Sequence, residues 1–179
     1  MHIFLTGEIQ VGKSTIIRRV LDRLEVDAGG FLTEFDGDRS IWPKRLYMRA
    51  VSAKPFGRDS RLAVLMRENE KPQVYLDTFE EFGVRLLREA VKQAPLIVMD
   101  ECGRLEGEAA LFQRTVLETL DLPIPILGVV RQLPKASWLD KIKAHPSVTL
   151  ITVTRENRDG LQDWLQDSIF ESLNYKNVL

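Results

Sequence analysis

Apolar positions change their spacing twice before residue 36. "HIFLT" (His2–Thr6) is a short apolar run closed by Gly7, the pattern of a buried strand. From Lys13 onward, Ile16, Ile17, Val20, Leu21 and Leu24 recur at helical spacing, with Arg18, Arg19, Asp22 and Arg23 on the opposite face. "GGFLTEF" (Gly29–Phe35) then predicts a strand. Residues 36–78 read differently. "RLYMRAV" and "RLAVLMR" are β-like, "ENEK" is a turn and "PQVYLD" is extended, which predicts an antiparallel β-rich insert. Helical periodicity returns in "TFEEFGVRLLREAVKQ", whose buried stripe is Phe79, Phe82, Leu86, Leu87 and Ala90. "PLIVMD" is a wholly apolar strand of the kind covered on both faces in a parallel sheet. The rest alternates: "EAALFQRTVLETL" a helix, "PIPILGVV" a strand, "SWLDKIKAH" a short helix started by Ser137, "SVTLITV" a strand, and "GLQDWLQDSIFESL" an amphipathic helix. This order predicts an α/β fold with a mainly parallel central sheet flanked by helices and joined by right-handed crossovers. One domain is expected over residues 1–179, with the insert at about 36–78.

Composition narrows the functional classes. Apolar residues are 44% and charged residues 28% of the chain, and the formal net charge is −1, so no overall pull toward nucleic acid or anionic lipid exists. Cys102 is the only cysteine, which excludes internal disulfides and thiolate metal clusters. No apolar run has bilayer length and no signal-type leader is visible, so a cytoplasmic, membrane-free protein is expected, a monomer in preference to an oligomer.

Candidate chemistry enters at "GEIQVGKST", Gly7–Thr15, between the first strand and the first helix. Gly7, Gly12, Lys13 and Ser14 match the Gly-x-x-x-x-Gly-Lys-Ser phosphate loop, with Glu8, Ile9, Gln10 and Val11 as its intervening residues. Such a loop turns successive backbone N–H groups inward at a helix N-terminus, which makes a nest for phosphate. Lys13 would place an ammonium between the β- and γ-phosphates, and the Ser14 hydroxyl is a hard ligand for Mg²⁺. Thr15 is a candidate contact for the α-phosphate. Glu8 beside a phosphate nest is expected to point outward, and Gln10 stands where many such loops use glycine.

"LIVMDE" places Asp100 and Glu101 at the end of an apolar strand, where α/β sheets present functional groups. Asp100 fits a strand-end partner for Mg²⁺, and Glu101 a carboxylate that orients or deprotonates a water. "DECG" (Asp100 to Gly103) also has the Asp-x-x-Gly spacing by which small GTPases sense a γ-phosphate. The Asn-Lys-x-Asp guanine reader is missing after both later strands, so that spacing reads as coincidence.

Together, Gly7–Thr15, "GGFLTE" (Gly29–Glu34), "DECGRLE" (Asp100–Glu106) and "TRENR" (Thr154–Arg158) resemble the motifs of the THEP1 nucleoside-triphosphatases, in order and over nearly the whole chain. The resemblance implies a RecA-like P-loop NTPase fold and Mg²⁺-dependent hydrolysis of nucleoside triphosphates, including ATP and GTP. It assigns Lys13 and Ser14 to phosphate and Mg²⁺, Asp100 to the metal, and Glu101 to water activation. Asn157 and Arg158 match the segment beside the nucleotide base, although Asn157 also suits a helix cap and Arg158 a surface cation. The chain departs from the family at "EIQ" (Glu8 to Gln10), where the loop commonly carries proline and glycine, and at Val130, where a histidine commonly precedes the arginine.

Arg131 ends an apolar strand, and its guanidinium either neutralises charge on the transferred phosphoryl group or is a surface cation. Glu106 either binds neighbouring charged groups or starts the next helix. Arg39, Lys44, Arg45, Arg49, Lys54, Arg58 and Arg61 crowd the insert with Trp42, Tyr47 and Phe56, a composition that suits single-stranded nucleic acid but more often a solvated hairpin face. Two other functions fit the same loop: a small P-loop nucleotide or metabolite kinase, with "RQLPKASWLDKIK" as a cationic lid, and a nucleotide-dependent module binding RNA or protein.

Overall fold

The computed structural model describes residues 1–51, 60–133 and 138–174. Its strands are β1 (His2–Thr6), β2 (Ala28–Asp36), β3 (Lys44–Ala50), β4 (Ser60–Met66), β5 (Gln73–Val74), β6 (Leu96–Cys102), β7 (Ile126–Val130) and β8 (Val148–Thr152). The helices are α1 (Lys13–Leu24), α2 (Val84–Gln93), α3 (Ala110–Leu120), α4 (Trp138–Lys143) and α5 (Arg158–Asn174). A wider π-helical segment, Thr78–Gly83, leads into α2. The predicted starting residue of α4, Ser137, lies outside the described residues.

All eight strands form one sheet in the order β5-β4-β3-β2-β6-β7-β1-β8. From β2 through β6, β7 and β1 to β8 every neighbouring pair is parallel. The pairs β2–β3, β3–β4 and β4–β5 are antiparallel, so the β-rich insert extends one edge of the parallel sheet. Parallel pairing puts the C-terminal ends of β1, β2, β6 and β7 at one rim, the end where open α/β sheets bind ligands.

The strand period of two sorts the core. Phe4, Phe31, Met48, Ile97 and Met99 face Phe79, Leu87, Phe112 and Trp138 on one side of the sheet. Ile3, Leu5, Leu32 and Val98 face Ile16, Ile17, Val20, Leu165 and Ile169 on the other. Phe112 anchors the first side through edge-on contacts with Phe31, Phe79 and Trp138. Helix α1 thus lies on its apolar stripe against the sheet, which fixes the direction of its N-terminus.

Of the two readings left open for Glu106, the helix start does not hold. Helix α3 begins at Ala110, four residues beyond Glu106, and its early Leu111 N–H donates to the carboxylate of Glu80 in the π-helical segment. Glu106 instead turns inward, because its carboxylate is needed by a backbone donor described below.

Candidate active site

Strand β1 delivers the chain to the rim at Thr6, and the loop Gly7–Gly12 turns it into α1. The turn demands glycine at its first position: Gly7 has φ of +131°, and a Cβ there would stand 2.5 Å from the Val153 carbonyl oxygen. Gln10 adopts a left-handed φ of +64° without being glycine, so the residue that departs from the common pattern still makes the turn. Glu8, Ile9 and Gln10 are exposed, Val11 is buried and anchors the loop to the core, and Thr15 is exposed. The first backbone bond of α1 runs from Ile16 N to Gly12 O, and no side chain caps the helix. The N–H groups of its first turn are therefore offered to a ligand, at the positive end of the helix dipole.

Lys13 is a buried residue whose ammonium bridges the loop, donating to Gly7 O at 2.9 Å and Glu8 O at 2.6 Å. Burial lowers its pKa most, opposed by the charge of Glu101; Arg131 also lowers it and Asp100 raises it. These four side chains therefore share one electrostatic site, although they come from α1, β6 and the end of β7.

Strand β6 ends with the acid pair. Asp100 is 1% exposed, and its Oδ1 accepts a hydrogen bond from Ser14 Oγ at 3.1 Å. Burial pushes the Asp100 carboxyl up to about 7, against the Ser14 bond that lowers it. A hydroxyl and a carboxylate converging at a phosphate loop are hard oxygen donors, of the chemistry that would suit Mg²⁺. Glu101 is half-buried; Arg131 Nε donates to its Oε1, and its own backbone N–H donates to Thr33 Oγ1 at 3.3 Å. The backbone N–H of Arg131 donates to Cys102 O at 3.0 Å, so Arg131 holds the acid turn by main chain and side chain alike.

Below this turn Glu106 is 3% exposed and accepts from Gly103 N at 2.8 Å. Burial pushes its carboxyl up to about 7. Cys102 is fully buried, and burial drives its thiol well above the ordinary range, as a packing residue requires. A cleft of about 530 Å³ farther along the same loop is lined by Lys71, Val74, Leu76, Arg104 and Leu105. It contains none of the phosphate-loop or acid-pair residues.

Asn157 is committed to the turn before α5: its Oδ1 accepts from Thr154 N at 2.8 Å and its Nδ2 donates to Thr152 O at 2.9 Å. Arg158 is exposed beside Asp159. In the insert, Arg39 lies over Phe35, Lys44 over Trp42 and Arg61 over Phe82, while Arg49 pairs with Glu34. Lys54, Phe56 and Arg58 lie outside the described residues, as do four residues of "RQLPKASWLDKIK". Thr33 and Glu34 stand in the Gly29–Glu34 motif, whose spacing alone gives neither a task. Their place beside the acid pair follows from the pairing of β2 with β6, which only the fold reveals.

A strand-to-helix phosphate loop facing a strand-end acid pair across a parallel sheet defines a P-loop NTPase fold, with its site at the carboxyl rim. A family model described as NTPase matches residues 2–165. The chain belongs to this family of nucleoside-triphosphate hydrolases. It is 29% identical to the nucleoside-triphosphatase THEP1 of Thermotoga maritima over 90% of this chain and 91% of that one. With the THEP1 of Thermococcus kodakarensis it shares 30% identity over 97% and 96%. The crystal structure of THEP1 from Aquifex aeolicus superposes with a TM-score of 0.75 at 24% identity, covering 92% of this chain and 96% of that one.

Proposed function

We propose that the chain splits the terminal phosphate from nucleoside triphosphates, ATP and GTP among them, in a Mg²⁺-dependent reaction with water. The observation that carries this reading is the convergence of Ser14, Asp100, Glu101 and Arg131 at the mouth of an uncapped helix. The N–H groups at the start of α1 take the phosphate chain. Lys13 is already poised at the loop and exchanges its two carbonyl partners for phosphate oxygens. Ser14 and Asp100 would hold Mg²⁺, which when bound neutralises phosphate charge. Glu101 orients a water toward the γ-phosphate and accepts its proton. Arg131, held against Glu101, is placed to meet negative charge developing on the transferred group. Phosphoryl transfer asks mostly for positioning and electrostatic stabilisation, and these are what this arrangement offers. No Asn-Lys-x-Asp guanine reader of the small-GTPase kind stands in the sequence.

Phosphate release from ATP and GTP, with and without Mg²⁺ and with no acceptor present, tests the reading. Glu101→Gln should lower turnover by roughly 10²–10⁴-fold while nucleotide affinity stays within a few-fold. Full activity in that variant removes Glu101 from the mechanism, and release that waits for an added acceptor indicates a kinase.

A further inference from the structure

Glu101 needs more than its place at the end of β6. The β2–β6 pairs end at Leu32 and Asp100, and the β6–β7 register breaks between Met99 and Cys102. The Glu101 N–H therefore sits where the ladders on both sides let go. A half-buried backbone donor in that position requires an acceptor. The hydroxyl of Thr33, one residue beyond the last β2–β6 pair, supplies it at 3.3 Å.

Thr33 is itself held in register by its pairing with Met48 of β3, and its neighbour adds side-chain ties. Glu34 pairs with Arg49 of β3 at 2.8 Å and with Arg18 of α1 at 3.2 Å. Arg18 is one helical turn beyond Ser14. The end of β2 is thus tied to both the insert and the helix that follows the phosphate loop. From this fixed point Thr33 holds the Glu101 backbone, while Arg131 holds the Glu101 carboxylate from the β7 side.

We propose that Thr33 is a positioning residue for the hydrolysis: its hydroxyl fixes the main chain of Glu101 and so the direction in which the carboxylate meets water. The inference rests on the role proposed above for Glu101. Thr33 makes no contact with the phosphate loop among the described bonds, so its removal acts on turnover and leaves nucleotide binding alone. The second motif of the sequence, "GGFLTE", gains a task by this assignment: Thr33 serves the acid turn and Glu34 ties that strand to α1.

The test is steady-state phosphate release from Mg²⁺-ATP by wild type, Thr33→Val, Thr33→Ser, Glu101→Gln and the Thr33→Val/Glu101→Gln pair. Valine keeps the shape and loses the acceptor. Thr33→Val should lower kcat about 3–10-fold, the worth of one neutral hydrogen bond, with KM within two-fold. Thr33→Ser should restore kcat to within two-fold of wild type. In the Glu101→Gln background, Thr33→Val should add no further loss, because both changes act through one group. Should Thr33→Val fail to fold, Thr33→Ala, which also lacks the hydroxyl, carries the same comparison. An unchanged kcat in Thr33→Val, or a full extra loss in the pair, overturns the inference. If Glu101→Gln alone is fully active, the hydrolytic role of Glu101 falls instead, so the two failures are distinguishable.

Discussion

Glu106→Gln offers a direct measure of the electrostatics beneath the acid turn. The carboxyl is 3% exposed and sits at about 7, against an ordinary 4.5. Burial is the largest cause; the hydrogen bonds from its own and the Gly103 backbone oppose it, Glu101 adds to it and Arg131 opposes it. Between the two pH values the unfolded chain has released a proton that the native chain still holds. Stability must therefore fall as pH rises through that window, and the loss levels off about one unit above the native value, near pH 8. At about 1.4 kcal/mol for each of the roughly 2.5 pH units between the two values, the full cost is about 3–4 kcal/mol, most of it incurred between pH 5 and pH 8. Glutamine keeps a carbonyl to accept the Gly103 N–H and cannot ionise. Any fixed cost of burying its amide is the same at every pH, so the diagnostic quantity is the slope of the difference. Urea unfolding of both proteins at pH 5, 6, 7 and 8 reads it directly. The variant should gain on wild type by about 2–3 kcal/mol across this range, and the contribution of Asp100, common to both proteins, cancels. A difference that stays flat with pH, or one that turns against the variant as pH rises, refutes the reasoning.

Two further predictions concern the scaffold and the metal. Gly30 has φ of +103°, and a Cβ there would stand 2.1 Å from the Val98 carbonyl oxygen, so Gly30→Ala should cost about 2–5 kcal/mol by lowering the urea midpoint. An unchanged midpoint would mean that β2 and β6 can separate at no cost. Asp100→Asn should abolish the gain in nucleotide affinity that Mg²⁺ gives the wild type, as measured by calorimetry with and without the ion; a gain that survives would move the metal to other ligands.

The elements were largely legible in the sequence, because each carries its own periodicity. Ile16, Ile17 and Val20 announce the buried face of α1, and the unbroken apolar run of β6 announces a strand covered on both sides. The phosphate loop was legible as spacing, since Gly7 and Lys13 are few residues apart and their task depends on local turn geometry. Glu106 was not. Its distance from α3 and its inward bond to Gly103 follow from how the loop after β6 packs, and helix-start preference alone points the wrong way. The π-helical start of the second helical run was equally invisible, because its period differs from an α-helix by less than six residues can show.

The amino-acid order alone determined which residues could do the chemistry: a cationic loop residue, a hydroxyl beside it, and two carboxylates ending an apolar strand. It did so because those features are short-range patterns of spacing and polarity. Only the tertiary structure decided their company. Ser14 meets Asp100 across 86 positions of chain, Glu101 meets Arg131 across 30, and Thr33 reaches the Glu101 backbone across 68. Each meeting is set by which strands lie side by side and in what register, and that is a property of the whole sheet which no single segment encodes.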